Sequence, residues 1–209
     1  MPDTLQRMRL ARAAAQLNAQ SRHTNLPSLV FLTDDDRTPD PLPAIAALPR
    51  GALVIIRARD PARRRDLAHT AARLAQKHGL MLSIAGDASL AAEVSADGLH
   101  LAESEIEKAG RYRSANPSRL LTAATHSAHA VVRAHLAGVH AVLLSPIFAT
   151  ASHPDRAAFG LSRLRTIART SPIPIYALGG IDAENVDQLK NIPLAGIAAI
   201  GALLPKPSP

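Results

Sequence analysis

Eight short apolar runs, most of them followed by a helical pattern, recur along this 209-residue chain and limit what it can fold into. The runs are Leu29–Thr33, Ala52–Ile56, Leu80–Ile84, Gly98–Leu101, Leu120–Ala124, Ala141–Leu144, Ile173–Leu178 and Ala195–Ile200. Each is too short for a helix and mostly apolar, with Thr33, Ser83, His100 and Thr122 the exceptions, which suits a strand buried on both faces. Between them lie segments with helical spacing, such as Ala62–His78, where Leu67, Ala71 and Leu74 share one face. Shorter helical segments are expected at Leu42–Leu48, Ser89–Val94, Ser104–Tyr112 and Ala128–Ala137, and from Leu161 and Ala183 onward. Strands alternating with helices make a parallel sheet, and eight such units make an α/β fold of the (β/α)8 TIM-barrel type. The expected organisation is a single barrel domain over residues 1–209. Residues 1–27 form a leading helix (Thr4–Gln20) and linker, and 205–209 a short tail. Pro209 follows the last strand by nine residues, too few for a full eighth helix. The leading helix is therefore expected to cover the gap between the last and first strands.

The formal net charge is +7, from 24 Lys+Arg against 17 Asp+Glu, and all but four of the bases are arginine. Aromatic residues make up 2% of the chain, so a stacking platform for single-stranded nucleic acid is missing. Basic runs such as Arg63-Arg64-Arg65 suit exposed helix faces. No nucleic-acid partner is expected, and the charge fits small anionic ligands such as phosphates. The absence of cysteine excludes a disulfide scaffold, a thiolate metal site and a Cys nucleophile, and agrees with a cytoplasmic location. The N-terminal stretch lacks the apolar core of a signal peptide. No apolar run approaches the ~18 residues of a membrane span, so no membrane partner is expected.

In a parallel barrel, ligands bind at the carboxyl ends of the strands. The stretch Val142–Gly160 leaves its strand at Ser145-Pro146, where proline ends the ladder, and enters a polar loop. That loop carries Thr150, Ser152, His153, Asp155 and Arg156 and closes on Gly160 before a helix. The seventh strand runs into Gly179-Gly180 before another helix start, with Asp182 placed to cap it. Backbone N–H groups at such a turn make an anion site, although the pair also suits a tight connection and nothing more. Arg57 and Arg59, two apart, share one side of an extended segment. They face either the barrel mouth or solvent. His126 follows the fifth strand and can serve as a general acid/base near neutral pH, or as a structural or capping histidine. The spacing of His126, His129, His135 and His140 matches no closed metal site well.

With these strand ends laid out, the chain resembles the thiamine phosphate synthase family and its thiazole tautomerase relatives. The motifs are ADGLHL (96–101), SPIFATASHP (145–154) with Gly160, and YALGGI (176–181); FLTDDDRTPD, IIRARD and LAGIAAIG add weaker support. The resemblance spans about Leu29 to Leu204. It implies a (β/α)8 barrel, often a homodimer, acting in thiamine biosynthesis. It implies a thiazole phosphate substrate, with the phosphate held by backbone near Gly160, Gly180, Ile181 and Gly201 and the ring near Thr150. For the synthase reaction it also implies a pyrimidine diphosphate, whose pyrophosphate is expelled with help from Mg2+ and cationic side chains.

The chain departs from the synthase pattern at several positions. The family's Gln-x-Arg-x-Lys strand reads Ile55, Arg57, Arg59, and its Asn-Asp pair reads Ala85-Gly86, with Asp87 one residue out of register. Its second magnesium aspartate aligns with Glu105. The Thr-x-Thr-Lys loop reads Thr150, Ser152, His153, so a histidine replaces the pyrophosphate-facing lysine, and Ala124 replaces the serine two before the family histidine. Together these changes remove most of the diphosphate and metal machinery and keep the phosphate end. A tautomerase requires less, a phosphate anchor and an acid/base, and His126 stands at the matching place. The expectation is a thiamine phosphate synthase-like protein binding a thiazole phosphate. A thiazole tautomerase-type isomerase and a non-catalytic phosphate-ligand binding or regulatory protein are the alternatives.

Overall fold

The computed structural model describes residues 2–21, 24–149 and 157–204, the side chains of residues 2 and 3 excepted. The eight strands are β1 (Leu29–Leu32), β2 (Leu53–Ile56), β3 (Met81–Ala85), β4 (Gly98–Leu101), β5 (Leu120–Thr125), β6 (Ala141–Leu144), β7 (Ile175–Leu178) and β8 (Gly196–Ala199). They pair in parallel in chain order, and β8 returns to β1 to close the barrel. The helices are α1 (Pro2–Gln20), α2 (Leu42–Ala46), α3 (Pro61–His78), α4 (Ala88–Glu93), α5 (Ala109–Ala115), α6 (Ala128–Leu136) and α7 (Gly160–Thr170). The expected (β/α)8 architecture is the one found.

The apolar runs are explained by burial on both faces. Alternate residues such as Val30, Leu32, Leu53, Ile55, Leu143 and Tyr176 pack together inside the barrel. Their neighbours Phe31, Val54, Ile56, Val142 and Leu144 join the outer core beneath the helices. Local signals set the helix ends. Asp60 accepts from Arg63 N–H at the start of α3, and Gly79 ends that helix in the left-handed region at φ 64°. Asp87 caps α4 and Ser127 caps α6 in the same way.

Two expected helices differ: Ser104–Tyr112 opens as a 3-10 turn, Glu103–Lys108, before α5, and the segment from Ala183 is shortened. After β7, residues 183–185 form a turn and the segment becomes a short 3-10 helix, Val186–Leu189. Asp182 still caps the turn, its Oδ1 accepting from Glu184 N–H (2.8 Å) and Asn185 N–H (3.0 Å). The proline at 193 and the nearby strand leave too little chain for a regular helix.

α1 packs across β8 and β1, the seam where the barrel closes. Leu10, Ala14 and Leu17 bury its inner face. Asn18, also buried, donates from Nδ2 to the carbonyl of Ala195 at 2.7 Å and of Leu26 at 3.3 Å, tying the helix to the chain entering both seam strands. The seam is tight: a Cβ on Gly196 would lie 1.9 Å from the carbonyl oxygen of Ser28.

The barrel interior also holds a small polar set. Tyr176 donates its hydroxyl to Pro27 O at 2.6 Å. His100 is buried, with Nδ1 2.9 Å from Thr122 Oγ1. Burial, and secondarily the positive charge of Arg57, push the His100 pKa down from 6.5 to about 3, so the ring is neutral.

The buried polar groups can be tested by their effect on stability. Asn18→Ala leaves the buried Ala195 carbonyl short of a donor and costs about 1–3 kcal/mol, read as a lower urea midpoint. For His100, the folded pKa lies below the unfolded one, so between about pH 6.5 and pH 3 the unfolded chain binds the extra proton. Stability therefore falls as pH drops through that window, by roughly 2 kcal/mol between pH 7 and pH 5 from this group. Urea titrations at the two pH values should show a smaller drop in His100→Gln than in the parent chain.

Candidate active site

Parallel closure brings all eight carboxyl strand ends to one mouth, which opens into a cavity of about 790 Å3. Its floor is mostly apolar, made by Leu32, Ala85, Ala124, Leu178 and Ala198, with His100 among them. Its rim is polar: Arg37, Arg57, Glu103, Glu105, His126, Ser145 and Asp182. A mostly apolar hollow with a few convergent polar groups is the usual form of a small-molecule site.

His126 stands just beyond the end of β5 and lines this cavity. Glu103, at the start of a 3-10 turn (Glu103–Lys108) after β4, holds it at two points. Glu103 Oε2 accepts from the backbone N–H of His126 at 2.7 Å and lies 2.7 Å from its Nδ1. The capping role open to His126 on sequence grounds belongs instead to Ser127, whose Oγ accepts from Ala130 N–H at 3.0 Å. Glu103 escaped the sequence reading. Its signal was an acid placed where β4 ends, alongside the end of β5, a proximity that only the closed ladder creates.

The two arginines after β2 diverge. Arg57 lines the cavity, its guanidinium paired with Asp34. Burial pushes the Asp34 carboxyl up, but the Arg37 N–H bond and the charges of Arg37 and Arg57 outweigh it and hold its pKa below the usual value. Arg59 points away from the mouth. Its side chain is 74% exposed and paired with Asp36, and its backbone N–H donates to Asp35 at 2.7 Å. β2 ends at Ile56, so neither arginine lies within the strand, and Arg59 is taken up by Asp35 and Asp36.

At the other side of the mouth, Gly179 and Gly180 turn with φ of 97° and 68°. The β6 loop presses against them: a Cβ on Gly180 would lie 2.7 Å from Phe148 Cβ and 2.8 Å from Ala149 O. The backbone N–H groups of Gly180, Ile181 and Gly201 have no backbone partner among the described residues, and all three residues line the cavity. Gly160 is set apart from them. Its N–H is bonded to Ile147 O at 3.0 Å, and at φ 69° it opens α7 without lining the cavity. Thr150, Ser152 and His153 lie outside the described residues.

The carboxylates available for Mg2+ are already engaged. Glu105 lines the cavity, yet its Oε1 is 3.1 Å from Lys108 Nζ and its Oε2 3.4 Å from Ala102 N–H. Asp87 caps α4 through Leu90 N–H (2.9 Å) and faces Arg64 at 3.7 Å. Ala85 and Gly86 bring no donor side chain to the cavity. Among the described residues no group of three His, Cys, Asp or Glu could hold a metal ion. The donor set among the described residues does not fit a magnesium site. Among them, too, no helix is long and apolar enough to cross a membrane.

Comparison with known proteins agrees with this geometry. The family model described as thiamine monophosphate synthase matches residues 29–203. A thiamine-phosphate synthase of Parasynechococcus marenigrum is 33% identical over 142 residues, covering 68% of this chain and 41% of that protein. One from a Nostoc species is 28% identical over 172 residues, covering 80% and 49%. The chain thus spans about half the length of these relatives or less. Among solved structures, thiamine phosphate pyrophosphorylase from Pyrococcus furiosus superposes with a TM-score of 0.70 at 23% identity, over 83% of this chain and 85% of that one, which shows the shared fold. On the extent of the family match, this chain belongs to the thiamine monophosphate synthase family.

Proposed function

We propose that this chain binds a thiazole phosphate in the barrel mouth and relocates a proton on its ring, with His126 as the acid and base. The observation that carries this reading is the Glu103–His126 contact at the cavity wall. The amides of Gly180, Ile181 and Gly201, without a backbone partner among the described residues, suit the phosphate, since N–H groups gathered at a turn favour an anion. Arg57 and Arg37 add positive charge at the rim. In this reading, as the resemblance implies, the ring lies near Thr150, with Ser152 and His153 nearby in the sequence. A proton taken from one ring position and returned to another has no leaving group and consumes no co-reactant. Such a step requires a base with a pKa suited to neutral pH, which imidazole supplies. It does not require a cation to hold departing diphosphate.

A second reading comes from the names of the relatives: condensation of the thiazole phosphate with a pyrimidine diphosphate, as a thiamine-phosphate synthase. That reaction would call on Mg2+ near Glu105 and on Arg57 to stabilise the leaving group. The engagement of Glu105 with Lys108, of Asp87 with its helix, and of Arg59 with Asp36 weighs against it. A barrel that binds the thiazole phosphate without turnover is the non-catalytic form of the same site.

Purified protein given the thiazole phosphate alone, in deuterated water, and then with Mg2+ and the pyrimidine diphosphate, tests the three together. Deuterium entering the ring without added metal supports proton relocation. Thiamine phosphate formed only with Mg2+ and the pyrimidine diphosphate establishes the synthase. Binding with neither leaves a non-catalytic site. Under the favoured reading, His126→Gln lowers ring exchange by roughly 100-fold or more, with affinity for the thiazole phosphate held within about threefold. Gly180→Ala does the reverse. Its Cβ strikes the β6 loop at a positive φ, so affinity falls roughly tenfold by calorimetry while the bound ligand still exchanges.

A further inference from the structure

We infer that Glu103 is a positioning residue that fixes His126 as its Nδ1–H tautomer, so that the proton-accepting lone pair stands on Nε2 inside the cavity. The geometry leaves little alternative. An ionised carboxylate can only accept hydrogen bonds. One oxygen of Glu103 meets both the backbone N–H and Nδ1 of His126, each at 2.7 Å. Nδ1 must therefore carry a hydrogen whether the ring is neutral or charged, and in the neutral ring Nε2 cannot. The backbone contact anchors the residue at the root of its side chain and the ring contact stops rotation about χ2. Two bonds to one oxygen thus define both where the ring sits and which edge it presents.

The surroundings reinforce this assignment. Among the described residues, Glu103 has no Lys or Arg partner within ion-pair distance. The other acid of the same turn that borders the cavity, Glu105, takes Lys108 instead. Arg133 borders a second hollow of about 640 Å3 on which Glu103 and His126 also open, but its guanidinium is bound to Glu107. Nε2 of His126 has no hydrogen-bond partner among the described residues, and the residue lines both hollows. Most unconstrained histidines carry the proton on Nε2, so the assignment is a reversal that can be observed.

The tautomer is a property of the free protein and does not depend on the reaction proposed above; only its catalytic consequence does. The test is nitrogen NMR on histidine-labelled protein at a pH where the ring is neutral. His126 is identified among the nine histidines by its loss in His126→Asn. The wild-type ring should show a protonated Nδ1 and a bare Nε2. Glu103→Ala should move the proton to Nε2, whereas Glu103→Gln, whose carbonyl can still accept, should keep much of the Nδ1–H form. A wild-type Nε2–H ring, or one unchanged in Glu103→Ala, overturns the inference, and the wild-type spectrum decides even if a variant fails to fold. In the exchange assay, Glu103→Ala should lower kcat at least roughly tenfold with KM nearly unchanged. If the tautomer moves as expected while His126→Gln still turns over normally, the positioning role stands and the proton-transfer reading falls.

Discussion

A parallel sheet that closes on itself has no free edge, and the rest of this molecule depends on that closure. Every strand hydrogen-bonds on both sides, and side chains packed inside the barrel and helices outside cover its two faces, so successive strand positions are mostly apolar. Closure rests on the approach of β8 to β1, where Gly196 passes the Ser28 carbonyl at a distance that no side chain would allow. It is covered from outside by α1, anchored through Asn18. Because all strands run the same way, closure also decides function. It brings eight loops to one rim, and residues as far apart in sequence as Glu103 and Gly201 share one cavity.

Inside that frame, the distribution of charge separates structure from site. Polar groups within the barrel are few: Tyr176 is paired to Pro27 and His100 to Thr122, while the buried Ser83 Oγ has no hydrogen-bond partner among the described residues. His100 stays neutral because burying its charged form would cost more than any partner there returns. The strongly charged loops after β1 and β2 answer one another across the ladder. The aspartates 34–36 take up Arg57, Arg59 and Arg63, and exposed pairs of this kind, screened by solvent, contribute little to stability. Their effect is geometric. They decide that Arg57 remains at the mouth and Arg59 does not.

The architecture was legible in the sequence because one physical rule, burial on both strand faces, repeats eight times and swamps local ambiguity. Strand ends shifted by only a residue or two, as at Ile173, where Pro174 delays the ladder to Ile175. The segment from Ala183 misled because a good cap at Asp182 looks the same before a helix and before a turn; Pro193 and the strand beyond it shortened the segment. In the site, the glycine turn and His126 could be placed from spacing alone, since each adjoins the end of a strand. Glu103 could not, because its meaning depends on β4 lying beside β5. Arg57 and Arg59 could not be told apart from spacing, because what separates them is pairing with Asp34 in one case and Asp35 and Asp36 in the other, across the β1–β2 ladder.

The allocation of carboxylates at the mouth bears on which chemistry the barrel can support. Asp34 is held by two arginines, Asp87 and Asp182 by backbone N–H groups, and Glu105 by Lys108. A divalent cation would have to displace those donors before any of these acids could bind it, and each displacement leaves a cation or an N–H group without its acceptor. Glu103 differs in kind, because its partner is a titratable ring. Its negative charge is delivered to a group that can gain and lose a proton, and the bond it makes dictates at which atom. Among the described residues, the mouth therefore combines carboxylates already supplied with donors, amides of Gly180, Ile181 and Gly201 without a hydrogen-bond partner, and one imidazole held by a carboxylate. Which donor each acid is given is set by the loops, with no change in the barrel itself.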